Sequence, residues 1–117
     1  MKHELGDKAR IVHIIEAISD IEIILKDISD EDFLNNREKC LAVERLLEII
    51  GEATNHVSEA VLYKKDNSTP WKQIINTRNV IAHEYFRIDY DIIYKIATNN
   101  IIPLKKVIEN ILKELDK

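Results

Sequence analysis

Apolar side chains recur every three or four residues in the first part of the chain. Over residues 8–28 they occupy positions 11, 14, 15, 18, 21, 24, 25 and 28. This spacing places them on one face of an α-helix, so the segment predicts a first amphipathic helix. Residues 29–33, SDEDF, then supply acidic and capping side chains suited to a helix start. We expect a short turn around 30–35 that leads into a second long helix.

The second long helix is expected over about 36–63. Its apolar positions keep the helical period through the lone glycine of this stretch, Gly51; they are Leu41, Leu46, Leu47, Ile50, Ala53, Val57, Ala60 and Val61. Glycine lowers helix propensity only modestly, and its missing side chain permits close packing against another helix. The pattern therefore predicts one continuous element across this segment.

The clearest boundary follows the polar segment KKDNST, residues 64–69. Thr69 and Pro70 are typical of an N-cap followed by proline at the first helical position, where the missing N–H is harmless. A third helix is predicted over about 70–82, with four apolar side chains facing the core: Trp71, Ile74, Ile75 and Ile81.

A final helix is predicted after the segment FRID, with Asp89 as its N-cap and an end near Leu115. Pro103 interrupts this helix because proline lacks the backbone donor and crowds the preceding turn. A kink or short break is therefore expected over Asn99–Pro103.

Four or five helices with short connections favour an all-α antiparallel bundle, because each amphipathic face must find apolar partners. A length of 117 residues fits one domain, 1–117, with a single core. Only two glycines and two prolines occur, and 45% of the residues are apolar. This composition excludes a disordered chain and a glycine-rich phosphate loop.

The apolar runs are far shorter than the roughly 20 residues that span a bilayer, and the first residues, MKHE, open no signal-like stretch. We therefore expect a cytoplasmic protein with no membrane partner. Cys40 is the only cysteine, so it forms no internal disulfide and is expected to be a structural thiol. With a formal charge of -4 we expect no broad positively charged surface for binding nucleic acid, so any RNA contact must be local.

Chemically capable residues are densest at the end of the third predicted helix, in RNVIAHEYFR, residues 78–87. At about 100° per residue, Asn79 and His83 share a helix face, whereas Arg78 and His83 stand about 140° apart if the helix continues through both. Either the helix ends near Ala82 and the turn brings His83 back, or a second copy of the chain supplies the facing half of the site. Both arrangements are compatible with the sequence.

An arginine and a histidine together suit a phosphodiester substrate. The guanidinium of Arg78 offers a planar fork of donors to phosphate oxygens and stays cationic. His83 titrates near neutrality, so it can take the proton of an RNA 2′-hydroxyl or give one to the leaving oxygen. Such cleavage needs no metal and leaves a 2′,3′-cyclic phosphate. The plainer interpretation of this spacing is a helix cap and an ordinary ion pair.

The segment RNVIAHEY, from Arg78 to Tyr85, resembles the R-x4-H-x-Y motif of HepT-like ribonuclease toxins in the HEPN superfamily. Three longer segments also resemble that family: AVERLLEIIGEA at 42–53, PWKQIINTRNVIAHEYF at 70–86 and TNN-x2-P at 98–103. The resemblance implies an all-α HEPN bundle, a two-fold homodimer with the motif at its cleft, and RNA cleavage by the toxin of a toxin–antitoxin pair.

Position by position, Arg78 and His83 match the family's catalytic pair, and Asn79 fills the supporting polar position. Tyr85 matches the tyrosine to which the cognate antitoxin, a minimal nucleotidyltransferase, adds AMP. A bulky anionic group two residues from His83 would block an RNA phosphate. The alternative for Tyr85 is an aromatic side chain packed half-buried on the bundle.

Two further residues are candidates for accessory roles. Glu52 ends a series of glutamates spaced by four, with Glu44 and Glu48, which is typical of a solvated helix face but could also form an acidic metal-binding stripe. Glu52 could orient a motif side chain. Arg87, together with Arg78, would concentrate positive potential around the groove of a two-fold dimer.

Metal-ligand spacing is missing among the histidines His3, His13 and His56, and HEYFR lacks the second histidine of a zinc-protease helix. We therefore expect no metal site and no cofactor. The main rival to a ribonuclease is a noncatalytic module that binds nucleotides or presents a substrate to a nucleotidyltransferase; a third interpretation is a plain dimeric scaffold. The intact pair of Arg78 and His83 favours catalysis, because a binding module has little need of a titrating base.

Overall fold

The computed structural model describes residues 2–63, 69–83 and 89–116, with side chains at all of these positions except 2–5 and 78–83. Every regular element in these ranges is helical, which confirms the predicted all-α class. The elements are α1 (Lys2–Leu25), α2 (Asp30–Leu34), α3 (Arg37–His56), α4 (Glu59–Leu62), α5 (Trp71–His83), α6 (Tyr90–Ile96), a π-helical segment (Ala97–Ile101) and α7 (Ile102–Leu115).

Helix α1 runs antiparallel to α3. Near the start of α1, the Asp7 carboxylate accepts hydrogen bonds from Ser58, which follows the end of α3. At the opposite end, the ammonium group of Lys39, early in α3, donates to the carbonyl of Ile24 at 3.0 Å. Because each contact joins the start of one helix to the end of the other, the two helices have opposite directions.

Helix α7 is also antiparallel to α1. Lys105, early in α7, contacts Glu22 near the end of α1 at 2.8 Å, and Asp116, just after α7, pairs with Lys8. Buried isoleucines of α1 pack with buried residues of α3 and α7. The isoleucines of α1 are Ile11, Ile14, Ile18 and Ile21; the buried residues of α3 and α7 are Val43, Leu47, Ile50, Leu104 and Ile108. The predicted antiparallel arrangement holds for α1, α3 and α7.

The first predicted helix ends earlier than residue 28. Helix α1 stops at Leu25 because Asp27 adopts a left-handed backbone conformation, with φ of 57°, after which Ile28 donates to the carbonyl of Leu25. The expected turn around 30–35 is the short helix α2, whose N-cap Ser29 accepts from the N–H of Asp32. Its Phe33 is fully buried, so a tertiary contact stabilises a segment whose sequence suggested only a turn.

The prediction of one helix over 36–63 was wrong. Helix α3 ends at His56, Val57 is extended with ψ of 137°, and α4 begins at Glu59. The Asp7 carboxylate accepts from both the N–H and the hydroxyl of Ser58, at 3.0 and 2.7 Å, and so holds the chain at this break.

Burial along α3 also departs in part from the predicted apolar face. Cys40 is buried, as expected of a structural thiol, and the buried stripe continues through Val43, Leu47 and Ile50. Leu41 was expected on this face but is 45% exposed, because it lies one position away from the stripe. Ala60, also expected there, is exposed on the separate helix α4.

The last helix is interrupted where Pro103 predicts. Asp89 is the N-cap of α6, as expected, and accepts from the N–H of Asp91. The interruption is the π-helical segment, in which the N–H of Ile102 donates to the carbonyl of Ala97, five residues earlier. The chain stays helical throughout, so the π-helical segment replaces the expected break.

None of the helices in the described ranges is long and apolar enough to cross a membrane.

Candidate functional site

Helix α5 carries the first part of the chemically capable cluster. It starts one residue later than predicted, at Trp71, where the carbonyl of Pro70 accepts from the N–H of Ile74. Trp71 and Ile74 are buried as expected, whereas Ile75 is only partly buried. These anchors pack α5 mainly against α3. The two buried side chains therefore determine which face of α5 points away from the core.

The helical register separates two of the motif positions. Position 78 lies four residues after Ile74 and seven after Trp71, so it is on the same face as these buried anchors. Positions 79 and 83 share the opposite face with Lys72 and Asn76, which are exposed. Because α5 includes His83, the backbone does not turn at Ala82, and positions 78 and 83 stand about 140° apart around one helix axis.

Several predicted site residues lie outside what the structure describes. Tyr85 and Arg87 belong to the undescribed residues 84–88, and the side chains of Arg78, Asn79 and His83 are likewise outside the described set. For these residues the structure gives the backbone course of α5 up to His83 and the point at which the chain continues, at Asp89.

The chain on both sides of residues 84–88 is held on α3. Before them, α5 packs on α3; after them, the hydroxyl of Tyr90 donates to the Glu44 carboxylate at 2.6 Å. Burial, and then the hydrogen bond and negative charge of Glu44, raise the pKa of Tyr90 to about 12. Glu44 was expected on a solvated face, but it is half-buried and anchors α6.

Glu52 lies on the α1 side of α3. It is exposed and hydrogen-bonded to His56 on its own helix, Nε2 to Oε1, at 3.0 Å. Both line an open groove of about 380 Å³ between α1 and α3, whose other charged or titratable lining residues are Arg10, His13, Arg45 and Glu48. The contacts described for Glu52 thus join it to this groove, and its proposed role beside the motif stays a prediction.

The groups of titratable side chains do not assemble into a metal site in the described ranges. No group of three or more histidine, cysteine, aspartate or glutamate side chains there is arranged to hold a metal ion. Glu48, a member of the series spaced by four, instead pairs with Arg45 at 3.3 Å.

A second groove, of about 440 Å³, lies between α5 and the π-helical segment, and sequence reasoning missed it. Gln73 and Thr77 line it from α5, and Asn99 and Asn100 line it from the π-helical segment. The available signal was the pair of asparagines three and four residues before the helix-interrupting Pro103, in the TNN-x2-P segment that had suggested only a family resemblance and a helix interruption. The groove runs along α5, the helix that carries the motif, because Gln73 and Thr77 line it one turn apart.

Comparison with known proteins identifies similar chains over most of this sequence. A family model described as "Ribonuclease HepT-like" matches residues 14–111. "Putative RNase MJ1380" of Methanocaldococcus jannaschii is 38% identical over 87% of this chain and 93% of that protein. "Probable ribonuclease HepT" of Thermococcus cleftensis is 34% identical over 86% of this chain and 90% of that protein. No solved structure matched the chain.

Proposed function

The chain belongs to the ribonuclease HepT-like family, a family of the HEPN type, and from this premise we propose that it is a metal-independent endoribonuclease, the toxin of a toxin–antitoxin pair. Relatives that cover most of this chain carry ribonuclease in their names, which supports the reaction class. The R-x4-H-x-Y segment from Arg78 to Tyr85 supports the position of the active site on α5.

In the proposed reaction His83 takes the proton of the 2′-hydroxyl of one ribose, and the resulting oxygen attacks the adjacent phosphorus. The bond from phosphorus to the 5′-oxygen breaks, and water protonates that oxygen while His83 returns its proton to solvent. The product carries a 2′,3′-cyclic phosphate. Arg78 stabilises the negative charge that builds on the phosphoryl oxygens. Asn79 supports the site as a neutral hydrogen-bonding group on the face of His83.

The single observation that carries the proposal of an active site shared between two copies is the continuation of α5 through His83. Positions about 140° apart on one helix do not face a common phosphate, so one chain alone supplies only half of a site. A two-fold homodimer in which the ends of two α5 helices meet would bring Arg78 of one copy, one turn beyond the buried anchor Ile74, to His83 of the other. The same pairing would gather the Arg78 and Arg87 side chains of both copies around one groove, which offsets the net charge of -4 locally.

Mixed dimers test the composite site directly. The Arg78→Ala and His83→Ala chains, each with a different affinity tag, are co-expressed, and the doubly tagged dimer is purified and assayed on RNA. A site shared between copies leaves one intact Arg78–His83 pair in the mixed dimer, so it should recover about half of the wild-type activity although each parent dimer is inactive. A doubly tagged wild-type dimer is the matched control. If the mixed dimer is as inactive as its parents, the composite site is wrong.

Two measurements distinguish a ribonuclease from the alternative, a noncatalytic module that binds nucleotides or presents a substrate. The wild-type dimer should cleave RNA at an undiminished rate in excess EDTA and should leave 2′,3′-cyclic phosphate ends, since His83 and Arg78 replace any metal. If the chain binds RNA or nucleotides without cleaving them, the noncatalytic nucleotide-binding or substrate-presenting role is correct instead. Loss of cleavage in EDTA would show that the mechanism needs a metal ion.

Control of the toxin is proposed to act through Tyr85. A minimal nucleotidyltransferase encoded beside this chain would transfer AMP from ATP to the phenol oxygen and release pyrophosphate. The added phosphate and nucleoside would then occupy the path of the RNA backbone next to His83.

A further inference from the structure

The groove between α5 and the π-helical segment combines an apolar floor with neutral polar walls. Ile74 and Leu104, both buried, contribute to the floor, while Gln73, Asn99 and Asn100 are exposed along its sides. No charged side chain lines this groove in the described part of the chain. Its volume of about 440 Å³ falls within the range of small-molecule sites.

The π-helical segment explains why two adjacent asparagines reach the groove. Pro103 has no N–H, so the carbonyl of Asn99 cannot receive the α-helical bond from four residues ahead. The wider turn is anchored by Ala97 and Ile101, which are 0% and 2% exposed, while Asn99 and Asn100 between them remain exposed. Single π-helical turns of this kind occur frequently at functional sites.

The polar side chains of the groove are available to a ligand. The amides of Gln73, Asn99 and Asn100 have no hydrogen-bond partner among the described residues. Thr77 donates its hydroxyl proton to the carbonyl of Gln73 at 3.1 Å and keeps its oxygen as an acceptor. Each amide offers both donors and an acceptor, so the walls can pair with a ligand edge that alternates the two.

The apolar floor and neutral polar walls indicate which class of ligand fits the groove. A phosphate or a metal ion needs compensating charge, which the described lining lacks. A nucleobase is neutral, has two flat apolar faces and presents donors and acceptors along its edge. Asparagine and glutamine amides pair with such edges in two-point contacts, and RNA is read mainly where bases are unpaired and splayed out.

We propose that this groove binds one unpaired nucleobase of the RNA substrate, with Asn99, Asn100 and Gln73 recognising its edge. The inference rests on the proposed ribonuclease function, because the groove runs beside the helix that carries Arg78 and His83. A base held there would position the neighbouring phosphate along α5 and would give the enzyme a base preference next to the cleaved bond.

The test measures binding in a background that cannot cleave. His83→Ala protein is titrated with fluorescent single-stranded RNA, and with the same RNA carrying one abasic site at each position in turn. One abasic position should weaken binding by about tenfold, as expected for losing base-edge hydrogen bonds and apolar contact. Adding Asn99→Ala and Asn100→Ala should give a similar loss with intact RNA and no further loss with the abasic RNA. Asn110→Ala, at an exposed asparagine of α7 that does not line the groove, is the matched control.

The other outcomes overturn the inference. If the double variant binds intact RNA as tightly as the Asn110→Ala control, or loses affinity equally for abasic RNA, the groove does not bind a base. If the double variant dissociates the dimer, a second copy of the chain covers the groove. A wild-type protein that binds AMP or another mononucleotide in the groove, but shows no abasic effect with RNA, would make the ligand a free nucleotide.

Failure of the ribonuclease proposal gives a different result. If wild-type protein cleaves RNA but the double variant binds normally and cuts at the same sites, only the base-binding inference is wrong. If wild-type protein does not cleave RNA but shows the abasic effect that the double variant removes, the groove binds a base in a protein that is not a ribonuclease. A wild-type protein that binds no single-stranded RNA would contradict the inference outright.

Discussion

The hydroxyl of Tyr90 donates a 2.6 Å hydrogen bond to the carboxylate of Glu44, which joins the start of α6 to α3. Tyr90→Phe removes this bond and leaves the half-buried Glu44 carboxylate without the donor that replaces water there. We expect the free energy of unfolding to fall by about 1.5 kcal/mol, at the lower end for a bond to a charged acceptor because both groups are partly exposed. Urea unfolding measures the change, with Tyr63→Phe, a partly buried tyrosine of the same core, as the matched control.

The same pair predicts how stability depends on alkaline pH. Burial and Glu44 raise the pKa of Tyr90 from 10.0 in the unfolded chain to about 12 in the folded one. The folded state therefore keeps this proton at a pH where the unfolded state has lost it, so stability falls as pH rises from 10 towards 12. The stability difference between wild type and Tyr90→Phe should be constant below pH 10 and shrink above it. A difference that grows with pH would contradict the assignment.

Asp7 should be among the most sensitive acidic positions for stability. Its side chain is 3% exposed and accepts both the N–H and the hydroxyl proton of Ser58 at the break between α3 and α4. Asp7→Ala leaves both half-buried donors of Ser58 without their acceptor and empties a buried position, so we expect a loss of about 2–4 kcal/mol. Asp20→Ala, at an exposed position of the same helix, should change stability by no more than about 0.5 kcal/mol. Equal effects of the two substitutions in thermal unfolding would exclude the anchoring role.

Cys40 should react slowly with thiol reagents in the native protein. It is 2% exposed, its thiol donates to the carbonyl of Phe33 at 3.2 Å, and burial raises its pKa. Labelling should therefore require opening of the α2–α3 contact and proceed at least about 100-fold faster in denaturant. A Cys40→Ala, Ala60→Cys double variant, with the thiol on exposed α4, should label rapidly in both conditions. Equally rapid labelling of native Cys40 would show that this contact opens freely.

Tyr85→Phe should escape neutralisation by the neighbouring nucleotidyltransferase. Incubation of the wild-type chain with that enzyme and ATP should add one AMP to the peptide containing Tyr85 and abolish RNA cleavage, because the new phosphate competes for the arginine that holds the scissile phosphate. Peptide mass spectrometry locates the label, and Tyr90→Phe is a matched control that should still be modified. Label on another residue, or full cleavage after stoichiometric modification, would disprove this switch.

The sequence alone predicted most of the helical segments and the position of the motif. Apolar spacing of three and four placed α1, α3, α5 and the last helix, because a helix must bury one face, and local chemistry identified Asp89 as a cap and Pro103 as an interruption. These signals involve residues within a turn or two of each other, so they can be read without knowing the fold. The roles of Arg78, Asn79, His83 and Tyr85 also come from the sequence, as predictions that rest on the resemblance.

Tertiary structure decided what depends on residues distant in the chain. The break after His56 depends on Asp7, 51 positions before Ser58, and the burial of Phe33 accompanies the short helix α2 where only a short turn was expected. The groove exists only because α5 lies beside the π-helical segment, which brings Gln73 near Asn99 and Asn100. Likewise, whether Arg78 and His83 diverge depended on where α5 ends. A helical period specifies which face is buried, but only packing specifies what that face meets.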